Sequence, residues 1–113
     1  MELRTPFGIV TTAVAVLLPF CASAGEPGNT KSGLAFALSN CSECHAVTNT
    51  QDKSPNPKAP TFMSVAGTSG MTGRALAVWL QTSHPTMPNF VLSQQDREDV
   101  IVYIMSLKPL PAQ

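Results

Sequence analysis

The hydrophobic pattern begins with a run from Phe7 to Phe20, set behind the polar start Met1 to Arg4 and followed by Ala22-Ser23-Ala24 and Gly25. A short apolar stretch ending in small residues predicts a secretory leader, residues 1–24, whose cleavage leaves residues 25–113 as a single domain. Retention as a membrane anchor is the competing reading, because no charge falls between Thr5 and Gly25. Pro6, Thr11, Thr12 and Pro19 interrupt that span, and its apolar part falls short of the roughly 20 residues that a bilayer core requires. Cys21 follows Phe20 rather than a small residue, so lipid attachment is not expected and Cys21 is grouped with the leader.

Beyond the leader the pattern is helical. Lys31 to Cys41 carries Leu34, Leu38 and Cys41 at i, i+4 and i+7, with Ala35 and Phe36 beside them, which predicts a short amphipathic helix. Thr48 to Pro60 is polar and proline-rich and predicts an extended surface loop, since Pro57 and Pro60 forbid a continuous helix. One or two helical turns are predicted over Phe62 to Ala66, closed by Gly67 and Gly70. Thr72 caps a predicted helix from Gly73 to about Thr82 that presents Leu76, Trp79 and Leu80 on one face. Pro85 and Pro88 frame a non-helical stretch. Ser93 with Asp96 is a capping signature, and Val100, Ile101, Ile104 and Leu107 then repeat at helical spacing until Pro109. From Gln94 to Lys108 this helix would span roughly 22 Å. No alternating strand pattern and no internal repeat occurs, so the class is all-α.

The chain has 113 residues, with seven Lys plus Arg and seven Asp plus Glu. That balance lacks the basic footprint of a nucleic-acid binder, and the length excludes dehydrogenase, kinase and doubly wound folds. Without the leader 89 residues remain, with six charges of each sign, and a core that small needs a staple. Cys41 and Cys44 are then the only thiols, in a compartment where disulfides persist.

Residues 41–45 read Cys41-Ser42-Glu43-Cys44-His45, the C-x-x-C-H attachment sequence of c-type haem. Shuffling this composition would produce such a string roughly once in a thousand times. Two thiols three positions apart can each form a thioether with one vinyl group of a porphyrin, and the next residue places an imidazole under the iron. His45 is the candidate proximal ligand. Three other readings use the same residues: a Cys41–Cys44 disulfide, a thioredoxin-like redox pair, and a zinc site built from Cys41, Cys44, His45 and His84.

Iron that passes electrons without binding oxygen needs a sixth ligand, and a Met thioether raises its potential. Met63, Met71, Met87 and Met105 are available after the leader. Met87 is favoured, because Thr86-Met87-Pro88-Asn89 holds it on a proline-stiffened loop between two helices. His84 is its main rival and would give a bis-imidazole haem of lower potential.

With Cys41-Ser42-Glu43-Cys44-His45 after one helix, Met87-Pro88 about forty residues later and a closing helix, the chain resembles the class I c-type cytochromes over nearly all of residues 31–108. The resemblance implies an all-α, cytochrome c-like fold of three main helices and short helical turns around one covalent haem. It implies that Gly33 is the small residue where the N-terminal helix crosses the C-terminal one, against Val100 and Tyr103. Many relatives have a large aromatic residue where this chain has Ala37, and Phe36 is the candidate to fill that space. Pro60, in Ala59-Pro60-Thr61-Phe62, matches the proline whose carbonyl accepts the proton of the proximal imidazole. Phe62, Trp79 and Leu80 would pack on the porphyrin. The segment from Trp79 to Phe90 looks most like small bacterial cytochromes, which implies a periplasm.

The resulting expectation is a monomeric, periplasmic, single-haem electron carrier, not an enzyme, that meets redox partner proteins transiently and binds neither nucleic acid nor, once cleaved, a membrane. Two alternatives stand beside it: a haem subunit of a larger dehydrogenase or oxidase, and a ligand-binding or peroxidatic protein with a labile sixth ligand. Mass spectrometry of the exported polypeptide checks the motif. The mass should be that of the residues plus one haem, and Cys41→Ala or Cys44→Ala should impair attachment.

Overall fold

The computed structural model describes residues 27–110 and Glu2; the rest of the predicted leader and its cleavage point lie outside the described residues. Among the described residues four helices follow in order: α1 Thr30–Asn40, α2 Phe62–Gly67, α3 Gly73–Trp79 and α4 Gln94–Ser106. Among the described residues there is no strand, only an isolated bridge between His84 and Met87.

Each helix starts on a side chain that accepts orphan backbone N–H groups. Asn29 Oδ1 accepts from Lys31 and Ser32 at 2.9 and 3.0 Å, Thr61 from Ser64, Thr72 from Ala75, and Ser93 from Asp96. The predicted caps Thr72 and Ser93 are in place. The ends of α3 and α4 come earlier than predicted. α3 stops at Trp79 instead of near Thr82, because Gln81 and Thr82 donate to Val78 and Trp79, the tighter i−3 pattern that closes a helix. α4 stops at Ser106 for the same reason, with Lys108 donating to Met105 ahead of Pro109.

The core joins Ala37 of α1, Val47, Phe62 and Ala66 of α2, Leu76 of α3, and Val100, Tyr103 and Ile104 of α4. α1 lies so close to α4 that its buried face is made of the smallest residues, Gly33 and Ala37. This corrects the predicted stripe: Leu34 and Phe36 flank the contact and pack on the core, while Leu38 is half-exposed. It also adds a partner to those expected for Gly33. A Cβ at Gly33 would collide with the carbonyl oxygen of Asp99 and come within 2.7 Å of Tyr103 Cβ, so Tyr103 stands at the crossing as expected and the Asp99 backbone stands closer still. Gly28 meets α4 in the same way, where a Cβ would collide with the carbonyl of Glu98. Between these two glycines, Asn29 N–H donates to the buried Asp99 carboxylate at 2.7 Å, and Gln95 Nε2 donates to the same oxygen at 2.8 Å.

Substituting Gly33 by Ala should therefore force α1 away from α4. The expected loss is about 1–3 kcal/mol in chemical denaturation of the mature protein, the usual effect of overpacking. The same substitution at Gly70, where a Cβ would meet open space, loses only what the positive φ of 75° dictates.

Candidate functional site

α1 delivers the chain directly into the cysteine motif. Cys41 caps the helix, its N–H and that of Ser42 both donating to Ala37, and Cys44 and His45 donate back to Cys41 at 3.1 and 2.9 Å. These tight turns bring Cys41, Cys44 and His45 onto one cleft of about 550 Å³, a size typical of cofactor sites. The cleft walls are mainly apolar and include Phe62, Val65, Leu76, Leu80, Val100 and Ile104.

His45 Nδ1 lies 2.6 Å from the carbonyl oxygen of Pro60. A carbonyl only accepts, so Nδ1 carries the proton, and the neutral ring held in this way is the tautomer with its lone pair on Nε2, open to a metal. Phe62 packs against the imidazole with ring centroids 5.4 Å apart. The segment that carries His45 is tied down at successive backbone groups. Asn56 N–H donates to Cys44, Ala46 N–H to Ser54 Oγ at 3.0 Å, Val47 N–H to Gln51 Oε1 at 3.0 Å, and Phe62 N–H to Ala46 at 2.9 Å. From α4, Tyr103 donates its hydroxyl to the carbonyl of the fully buried Val47 at 2.7 Å.

Reading residues 48–60 as a plain surface loop missed this role. A signal was available: Thr48-Asn49-Thr50-Gln51 has capping-box spacing, and Gln51 does reach back to the Thr48 N–H at 3.1 Å, although no helix follows.

Of the four methionines beyond the leader, Met71 and Met87 line the cleft; Met63 and Met105 do not. Met87 closes a four-residue turn by donating its N–H to the His84 carbonyl at 3.3 Å. Pro85 occupies the second position of that turn, where its fixed φ suits the geometry. Trp79 and Leu80 also line the cleft, with Trp79 at its rim. Its ring stacks on His84 with centroids 4.8 Å apart.

The rival chemistries fit poorly. Burial pushes the Cys41 thiol up to about 11, the reverse of what a redox-active or nucleophilic cysteine needs. Cys41 and Cys44 are free thiols, and among the described residues no three of the His, Cys, Asp and Glu side chains form a set that could hold a metal ion, which removes the zinc reading with His84. Two thiols, an imidazole with its Nε2 available, thioether sulfur on the same cleft and apolar walls do fit haem c.

Tyr103→Phe tests the tie from α4. It strands a buried carbonyl and should lower stability by about 1–3 kcal/mol. Burial raises the Tyr103 hydroxyl above its ordinary value of 10.0, so its contribution is complete below that pH and is lost as pH rises through the higher folded value. Unfolding measured against pH should show that part of the alkaline loss absent in Tyr103→Phe.

The chain is 39% identical over 77 residues to cytochrome c-552 of Bradyrhizobium diazoefficiens, an alignment that covers 68% of this chain and 73% of that protein. No protein-family model and no solved structure matches the chain.

Proposed function

The chain belongs to the c-type cytochromes, and on that footing we propose that it is a class I, single-haem electron carrier of the periplasm. Bound haem c supplies a one-electron Fe(II)/Fe(III) couple. In this reading the sulfurs of Cys41 and Cys44 make the two thioether links. His45 offers Nε2 to the iron, and Pro60 holds the proton on Nδ1, which fixes the ring and makes its lone pair a better donor. Met87 would supply a thioether sulfur to the iron, held by the turn that starts at His84 and stiffened by Pro88. Phe62, Trp79 and Leu80 pack on the ring. Apolar walls keep water from the metal, and ligands anchored on rigid segments need little rearrangement when its charge changes.

One observation carries the reading: both thiols, the oriented imidazole and Met87 face a single apolar cleft. The periplasmic assignment rests on the leader pattern of residues 1–24; among the described residues no helix is long and apolar enough to cross a membrane. Docking with redox partners is transient, as a small interface implies. Because the haem fills the centre of so small a domain, the apoprotein is largely unfolded.

Spectra of the oxidised and reduced mature protein test the ligands. The wild type should show the weak sulfur-to-iron absorption at the red end and resist carbon monoxide. Met87→Ala should lose that band with haem still attached. Survival of the band would move the ligand to Met71, and rapid, complete carbon monoxide binding by the wild type would favour a ligand-binding protein.

A further inference from the structure

Between Arg74 and Asp96 lie 21 consecutive residues with no Lys, Arg, Asp or Glu, although residues 27–110 carry eleven such side chains elsewhere. This segment supplies most of α3, the turn that holds Met87 and the approach to α4. Its large apolar side chains are not all used in the core. Val78 is 58% exposed, Trp79 55%, Phe90 45% and Val91 100%.

Three of these belong to one surface. Trp79, Phe90 and Val91 line a groove of about 260 Å³ that shares Trp79 and Met87 with the haem cleft. A protein seated there lies against the proposed ligand loop. Phe90 lines the groove and not the haem cleft; an aromatic side chain with two torsions loses little freedom when covered, and aromatic anchors carry most of the energy of an interface. The charge pattern selects the occupant. A partner that pressed charged groups onto this face would strip their water and find no counter-charge within the run, whereas an uncharged apolar surface loses nothing by the contact.

Resting on the electron-carrier reading, we infer that this charge-free face is the docking surface for the redox partner, and that the partner meets it with an uncharged, apolar protein surface. Encounter is then not steered by charge, and its rate is nearly independent of ionic strength. Lys58, the one charged side chain on the cleft wall, lies outside the run and takes no part in the contact.

The experiment follows oxidation of the reduced holoprotein by a total cell extract of the source organism, from about 0.01 M to about 1 M salt. The wild-type rate should change by less than about twofold. Phe90→Asp and Val91→Asp, which line the groove and not the cleft, should each slow the reaction about tenfold or more while leaving the absorption spectrum unchanged. A wild-type rate that falls about tenfold with salt would show charge-steered docking and overturn the proposal, as would variants that keep the wild-type rate. Sedimentation that reveals a dimer dissolved by Val91→Asp would give the face to a second copy, and flotation with neutral phospholipid vesicles would give it to a lipid surface; either result overturns the proposal. Failure of the Met87 reading registers in the spectrum, and failure of the docking reading in the kinetics.

Discussion

The close approach of α1 to α4 at Gly33 sets the position of everything downstream. With no side chain between the helices, the backbone of α1 rests on Asp99 and Tyr103, and the Asp99 carboxylate clasps Asn29 just ahead of the first turn. α1 ends at Asn40, and the motif begins at the next residue. A shift or rotation at the crossing therefore moves both thiols and the imidazole together. The same face of α4 sends the Tyr103 hydroxyl to Val47, so one helix anchors the motif on its near side and on its far side.

The loop between the motif and α2 serves His45 in a second way. A neutral imidazole has two tautomers, and only one leaves Nε2 free; the Pro60 carbonyl selects it. Proline suits that place because it cannot donate and because its ring fixes the local backbone. Ser54, Gln51 and Asn56 satisfy neighbouring backbone groups, so the ring position is set by a hydrogen-bonded clamp and not by packing alone. Buried polar groups satisfied in this way hold one geometry, whereas an unmade bond in that setting is expensive.

The other wall is built by different means. The segment from α3 to α4 has few long-range hydrogen bonds; a proline-started turn and the Trp79–His84 stack give it shape. Its side chains are uncharged, and several apolar ones face solvent. The molecule thus separates a wired, hydrogen-bonded side that orients the imidazole from a charge-free side beside Met87 that suits contact with another protein.

What the sequence by itself determined is what depends on local order: the four helical segments, the caps at Thr72 and Ser93, and the spacing of Cys41, Cys44 and His45, all of which arise within a few residues of one another. Pairings across the fold were legible only through family resemblance, which pointed to Pro60 beside His45 and to Gly33 at the helix crossing. Tertiary structure alone decided that Gly33 meets the backbone of Asp99 as well as Tyr103, that Leu38 is half-exposed, that Met71 and Met87 but not Met63 line the cleft, and that Tyr103 holds Val47. Periodicity marks an apolar face without saying how near its neighbour lies. Small residues win where backbones touch, and a hydroxyl finds a carbonyl 56 positions away only after the chain has packed.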